Sequence, residues 1–326
     1  MIDAVLLVAK EIAKEGLQNG TLKIVGSVVR FTSGEHKGEI HSHLQPTAAF
    51  EPAQQMAFKL DGLEQGQQLL QSMLGDLSGG ISALKVMSGL NLALSAADIG
   101  VSIAGFALMN AKLNAVQSAI SEVSKGIDFV QQDLIERDFV KLRALIERYE
   151  NSWHLSDEQR AVPLLIDIAA NANETQMLME AHAQRLLTEG LERLPVADRM
   201  LDGMALTLGL RVSAAMAANE SNLARNIADD GARRIEAITG GIGHMDLVRR
   251  SLPSGIDPSS QEWMDALAKA REDAEPALAK LRMREANAMT RSAPFPTLEA
   301  HGIQPREWLA AARSEKREPV MLLAEA

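Results

Sequence analysis

The chain contains no cysteine, which excludes disulfides, thiolate zinc sites and cysteine nucleophiles and fits a reducing compartment. Aromatic residues make up only 3% of its 326 positions. Large sheets draw on Tyr, Phe and Trp, whereas the residues that dominate here, Ala, Leu, Met, Gln, Glu and Arg among them, are strong helix formers. Positive charge is also short, with 33 Lys and Arg against 43 Asp and Glu, a formal net charge of -10. No basic stripe offsets that balance, so the electrostatic footprint of a nucleic-acid binder is missing and neither DNA nor RNA is expected as a partner. A secretory leader is not recognisable either. "MIDAVLLVAKEIAKEG" places Asp3 where a signal peptide needs positive charge, and its apolar run stops at Lys10. This opening reads as an amphipathic helix, and the expected location is the cytoplasm.

What the chain does contain is one short β region followed by helix. "TLKIVGSVVRF" and "GEIHSHL" alternate apolar and polar residues around the Gly- and charge-rich "TSGEHKG", the pattern of a hairpin over Leu22 to Leu44. Such a hairpin is marginal alone and should pack on helices or pair with a second copy. Pro46 and Pro52 then mark a linker. From about Gln54 the pattern is helical, interrupted at "LSGGIS", at "NSWHLSDEQ" with a candidate cap at Ser156, at "ERLP" before Pro195, at "TGGIGHM" and at "RSLPSGIDPSSQ". Beyond Ser292 four prolines predict short helices and loops that wrap the body. The expected division is residues 1–53 for the first helix, hairpin and linker, 54–252 for a long helical bundle, and 253–326 for further helices and a Pro-rich tail.

The most regular pattern runs through Leu113, Val116, Ile120, Val123, Ile127, Val130 and Leu134, alternately three and four apart, the signature of a coiled-coil seam. The stripe slips by one residue and resumes through Ile135, Phe139, Leu142, Ile146, Tyr149 and Trp153, drifting around the helix as in a long bundle. At about 1.5 Å per residue, Leu113 to Trp153 would span roughly 60 Å. Partners for it are present in "PLLIDIAANANETQMLMEAHAQRLLTEGLERL" and in "ADRMLDGMALTLGLRVSAAMAANESNLARNIADDGARRIEAI", both periodic and both read as long helices. The fold class that follows is mainly α, an elongated antiparallel bundle with one long coiled-coil-like helix and a small β-hairpin.

Just before that seam lies "VMSGLNLALSAADIGVSIAGFALMNA", Val86 to Ala111, with Asp98 as its single charge. Its length of about 26 residues suffices for a hydrocarbon core of about 30 Å. A central charge costs roughly 2.5–3.5 kcal/mol on insertion scales, so it makes a poor permanent anchor. Set on a helix, Ser88, Asn91, Ser95, Asp98, Ser102 and Gly105 fall on one narrow seam. The rest of the circumference is apolar, with Leu90, Leu92, Leu94, Ile99, Val101, Ile103, Phe106 and Leu108 as candidates for membrane insertion. Two readings follow. The stretch is the centre of the bundle, with Asp98 paired to a base such as Arg211, or it is stored in a soluble form and released into a bilayer, where the polar seam lines a wet lumen.

A buried apolar stretch running into a long coiled-coil helix resembles the helical pore-forming toxins of the cytolysin A and tripartite enterotoxin type. The resemblance covers about Leu60 to Ile238 and is one of arrangement, without a shared residue motif. It implies a membrane-active effector kept soluble until triggered, with a lipid membrane as partner on activation and self-association or a helical protein as further partners. Because no export signal is recognisable, bacterial defence or self-killing is the expected setting. The alternative is a soluble coiled-coil adaptor whose apolar helix is permanent core. Catalysis is not expected. The glycines of "GDLSGGIS" have Ile81 where a phosphate-binding loop needs lysine, and "TGGIGHM" lies between helices instead of after a strand. His36, His41 and His43 are the nearest approach to a metal site, and no further ligand completes a shell, so neither metal nor cofactor is expected.

Overall fold

The computed structural model describes residues 13, 15–17, 19–25, 27–47, 113–114, 129–155, 157–252, 255, 257–315 and 320–324. Its β region contains more than a hairpin. Strand β1 (Leu22–Val25) turns within two residues into β2 (Val28–Phe31), with Val25 opposite Val28 and Leu22 opposite Phe31, so the single run "LKIVGSVVRF" is itself a tight hairpin. Strand β3 (Ile40–Pro46) pairs antiparallel with β2, with a register shift between Val29 and Arg30. A fourth strand, β4 (Val320–Ala324), adds antiparallel to β3, Ser42 facing Ala324 and Pro46 facing Val320. The sheet order is β1-β2-β3-β4. The tail thus supplies a strand where short helices and loops alone were expected, and "VMLLA" hides it by being apolar throughout instead of alternating.

The helical body consists of α1 (Phe129–Ser152), α2 (Glu158–Glu189), α3 (Leu194–Ala217), α4 (Ser221–Thr239), α5 (His244–Ser251), α6 (Gln261–Met289), α7 (Pro294–Ala300) and α8 (Pro305–Ser314). The mainly α bundle with a small sheet is the observed architecture. The α1–α2 connection is capped by Asp157, which accepts from the Gln159 amide, and not by the expected Ser156. Asp157 reaches an unsatisfied amide of the first turn.

Helix α3 is the centre of the bundle. It packs against α1, α2, α4 and α8, and every residue but Pro195, Asp198, Arg199 and Arg211 is buried. A helix apolar nearly all round has no solvated face to offer, so it must be enclosed on every side. Gly203 permits that enclosure: a methyl group there would stand 2.6 Å from Met179 Sδ and 2.9 Å from Phe139 Cζ. On α4, buried Ala224, Ile227, Ala228, Gly231 and Ile235 form a stripe three and four apart that faces α3 and α6.

The stretch from "ADRML" to "IEAI", read in sequence as one helix, is two. Asn219 adopts φ 60°; its amide donates to Met216 O, and the Glu220 amide donates to Ala215 O, both at 2.9 Å. This is the paired closure of a Schellman turn, in which Asn tolerates the left-handed backbone better than most residues do. Helix α8 secures the turn. The Arg306 amide donates to Asn219 Oδ1 at 3.0 Å, and its guanidinium donates to Ala217 O at 2.7 Å. The guanidinium groups of Arg306 and Arg313 each lie over the Trp153 ring, 4.7 and 4.6 Å from its centroid, two cation–π contacts reinforced by Arg313 on Glu150 at 2.7 Å.

Candidate functional site

The apolar stretch Val86–Ala111 lies outside the described residues. So do its insertion candidates (Leu90, Leu92, Leu94, Ile99, Val101, Ile103, Phe106, Leu108) and its polar seam (Ser88, Asn91, Ser95, Asp98, Ser102, Gly105). Of the coiled-coil seam, Leu113 is fully buried in the main core, Val130 and Leu134 fall within helix α1, and Val116, Ile120, Val123 and Ile127 lie outside the described residues. The stripe that continues the seam is core. Ile135, Phe139, Leu142, Ile146 and Tyr149 are all buried, with Trp153 packed against them. Next to Leu113, Asn114 Oδ1 accepts from Arg143 Nη2 of α1 at 2.9 Å.

The apolar stretch has a counterpart that is fully described. Among the described residues, α3 is the one helix long and apolar enough to cross a membrane, and 94% of its apolar window is buried. Its charges are answered inside the protein. Asp202, with no exposed side-chain surface, accepts from Arg284 Nη2 at 2.5 Å and from Lys280 Nζ at 3.1 Å; Asp198 accepts from the same two bases at 2.7 and 2.6 Å. Arg199 adds a contact to Asp202 at 3.4 Å. Burial would raise the Asp198 carboxyl, but Arg284 and Lys280 outweigh it and hold it below the ordinary value. Sequence reasoning missed this cluster. Its signal was present as two acids four apart on α3 and two bases four apart on α6, each pair on one helix face. Arg211, the candidate partner of Asp98, donates to Gln176 Oε1 at 2.7 Å, and burial holds its guanidinium below the ordinary value. Arg291 is fully buried and pushed down to about 10 by desolvation.

A groove runs between α1 and α2, about 730 Å³ in volume and lined by Glu136, Arg137, Asp138, Val140, Lys141, Leu178 and His182. At its floor His182 Nε2 lies 3.3 Å from Asp138 Oδ2. Its apolar residues are solvated: Val140 is 63% exposed and Leu178 39% exposed.

The histidines of the β region have separate tasks. His36 is exposed and bonds Glu39 at 2.8 Å. His41 meets Ser42 Oγ at 3.0 Å and has its imidazole pushed down by burial. His43 is buried and shares a hydrogen bond with Thr297 Oγ1 of α7 at 2.9 Å. Together with the Ser27 amide, which donates to Thr290 Oγ1 at 2.9 Å, it ties the sheet to the helical body. No group of three or more His, Asp or Glu side chains is placed to hold a metal ion among the described residues. No protein-family model, no characterised protein and no solved structure matches this chain.

Proposed function

We propose that the protein is a membrane-active, pore-forming-like helical effector held soluble until triggered, acting through Val86–Ala111 in bacterial defence or self-killing. The observation that supports this reading most is the place of α3. Among the described residues the centre of the bundle is taken by α3, whose two carboxylates, Asp198 and Asp202, are met by bases of α6. The stretch Val86–Ala111 is a second apolar run with one carboxylate, and its length matches a bilayer. Assembly of several copies would turn the seam of Ser88, Asn91, Ser95, Asp98 and Ser102 toward water, the arrangement that makes an intramembrane carboxylate tolerable. A soluble adaptor is the second reading, favoured by the full burial of Leu113, two residues beyond the stretch.

Dye release from vesicles of mixed zwitterionic and anionic phospholipid separates the two. The intact chain should release dye under a suitable pH, salt or temperature step, deletion of residues 86–111 should abolish release, and Asp98→Leu and Asp98→Lys should alter it in different directions. Vesicles that stay sealed under every such step, with the protein folded and monodisperse, leave the adaptor reading.

A further inference from the structure

Gln176 of α2 is 1% exposed, and among the described residues its Nε2 has no hydrogen-bond partner. Arg211 of α3 fixes the orientation of that amide, because its Nη1 donates to Gln176 Oε1 at 2.7 Å. A guanidinium has donors only, so the amide must turn its oxygen toward Arg211 and its Nε2 elsewhere. On the other side of the same hydrogen bond, Arg211 Nε is likewise buried without an acceptor among the described residues. Native proteins meet such donors with a protein group, a water or an ion.

The charge of Arg211 is unmatched as well. The charged groups that act on it through space are Asp230 and Arg234 of α4, one of each sign. Asp230 is already held by Arg234 at 2.7 Å and by Arg233 at 3.5 Å, and Glu180 of α2 by Arg234 at 3.0 Å. Three guanidinium groups thus share two carboxylates. A water would accept from the two donors and leave the extra positive charge in a half-buried place, whereas an anion answers both needs. Because both nitrogens are buried, the occupant must be small and must shed its water. That cost grows with the square of the charge, which favours a monovalent ion over phosphate or sulfate.

We propose that a small monovalent anion of the chloride type binds at the junction of α2, α3 and α4, accepting from Gln176 Nε2 and Arg211 Nε. The anion joins α2 to the central helix without drawing on Asp230 or Glu180, and the stability of the bundle depends on which anion is present.

The test compares the full chain in sodium chloride and in sodium gluconate at equal ionic strength, gluconate being monovalent but too large to enter. At a chloride concentration ten times its dissociation constant, the unfolding equilibrium constant at fixed urea should be about elevenfold lower than in gluconate, and the difference should saturate as chloride replaces gluconate. Gln176→Glu puts a carboxylate of nearly the same shape beside Arg211, so this variant should unfold at one urea midpoint in both salts, no lower than that of the native chain in gluconate. Arg211→Met should lose the chloride effect too, and Gln176→Glu carries the comparison if Arg211→Met does not fold. Equal midpoints for the native chain in the two salts would show that water suffices and would overturn the proposal. A chloride effect undiminished in Gln176→Glu would place the anion elsewhere, with the same consequence. Broadening of the chloride-35 resonance reads binding to the folded protein directly: excess broadening with the native chain that Gln176→Glu removes is expected, and no excess with the native chain refutes the site.

Discussion

Tyr149 is the sole tyrosine of the chain, which makes its ionisation a clean report on how α1 is seated. Its side chain has no exposed surface, and burial pushes the phenol up to about 12, against a smaller opposing pull from Arg313. The charged phenolate is the disfavoured form. The folded pKa is therefore above the unfolded one, so the stability it contributes is fully present below pH 10 and is lost as pH rises from about 10 to about 12. At about 1.4 kcal/mol per unit, a shift of two units amounts to about 3 kcal/mol. Phenolate absorbance in the near ultraviolet should show no titration in the native protein until about pH 12, and a titration near 10 in denaturing urea. The urea midpoint should fall across the same window. A native titration centred near 10 would refute the burial of Tyr149 and with it the seating of α1 against α8. Substituting Arg313→Met should raise the native value further, because a nearby positive charge favours phenolate.

Two further outcomes test the bundle. Arg284→Met should lower stability by about 3 kcal/mol in urea unfolding, the low end for one partner lost from a buried pair, because Lys280 and Arg199 still face Asp202; a loss under about 1 kcal/mol would show the cluster to be solvated. At the α3–α4 turn both Asn219→Ala and Asn219→Gly lose the acceptor for the Arg306 amide, but Asn219→Ala should cost about 1–2 kcal/mol more than Asn219→Gly, since the position needs a left-handed backbone. Equal effects of the two substitutions would contradict that assignment.

How much of this was legible in sequence depended on whether a feature is written locally. The stripe from Ile135 to Tyr149 was, because helical periodicity repeats every few residues and the core needs nothing more. Strands β2 and β3 were legible from alternation, whereas β4 was not, since an apolar run such as "VMLLA" fits a buried strand or a helix equally. The α3–α4 boundary escaped because Asn219 interrupts a helical pattern without glycine or proline, and only its φ reveals the turn. The Asp198, Asp202, Lys280 and Arg284 cluster escaped because its partners are about eighty residues apart. His43 illustrates the same limit, since its partner, Thr297, is remote in sequence and its strand pattern alone could not tell a buried bond from a ligand. For the apolar stretch itself, composition and spacing are the whole of the argument.

The pairing of β3 with β4 has a consequence during synthesis. More than 270 residues separate Pro46 from Val320, and at roughly 5–20 residues per second a ribosome needs about a quarter of a minute to a minute to bridge them. Through that interval the outer edge of β3 has no mate, and an open strand edge is an adhesive one. Newly made copies on neighbouring ribosomes therefore meet with that edge bare, while the apolar stretch is already translated. Chaperone capture during translation is where the two hazards would be managed together.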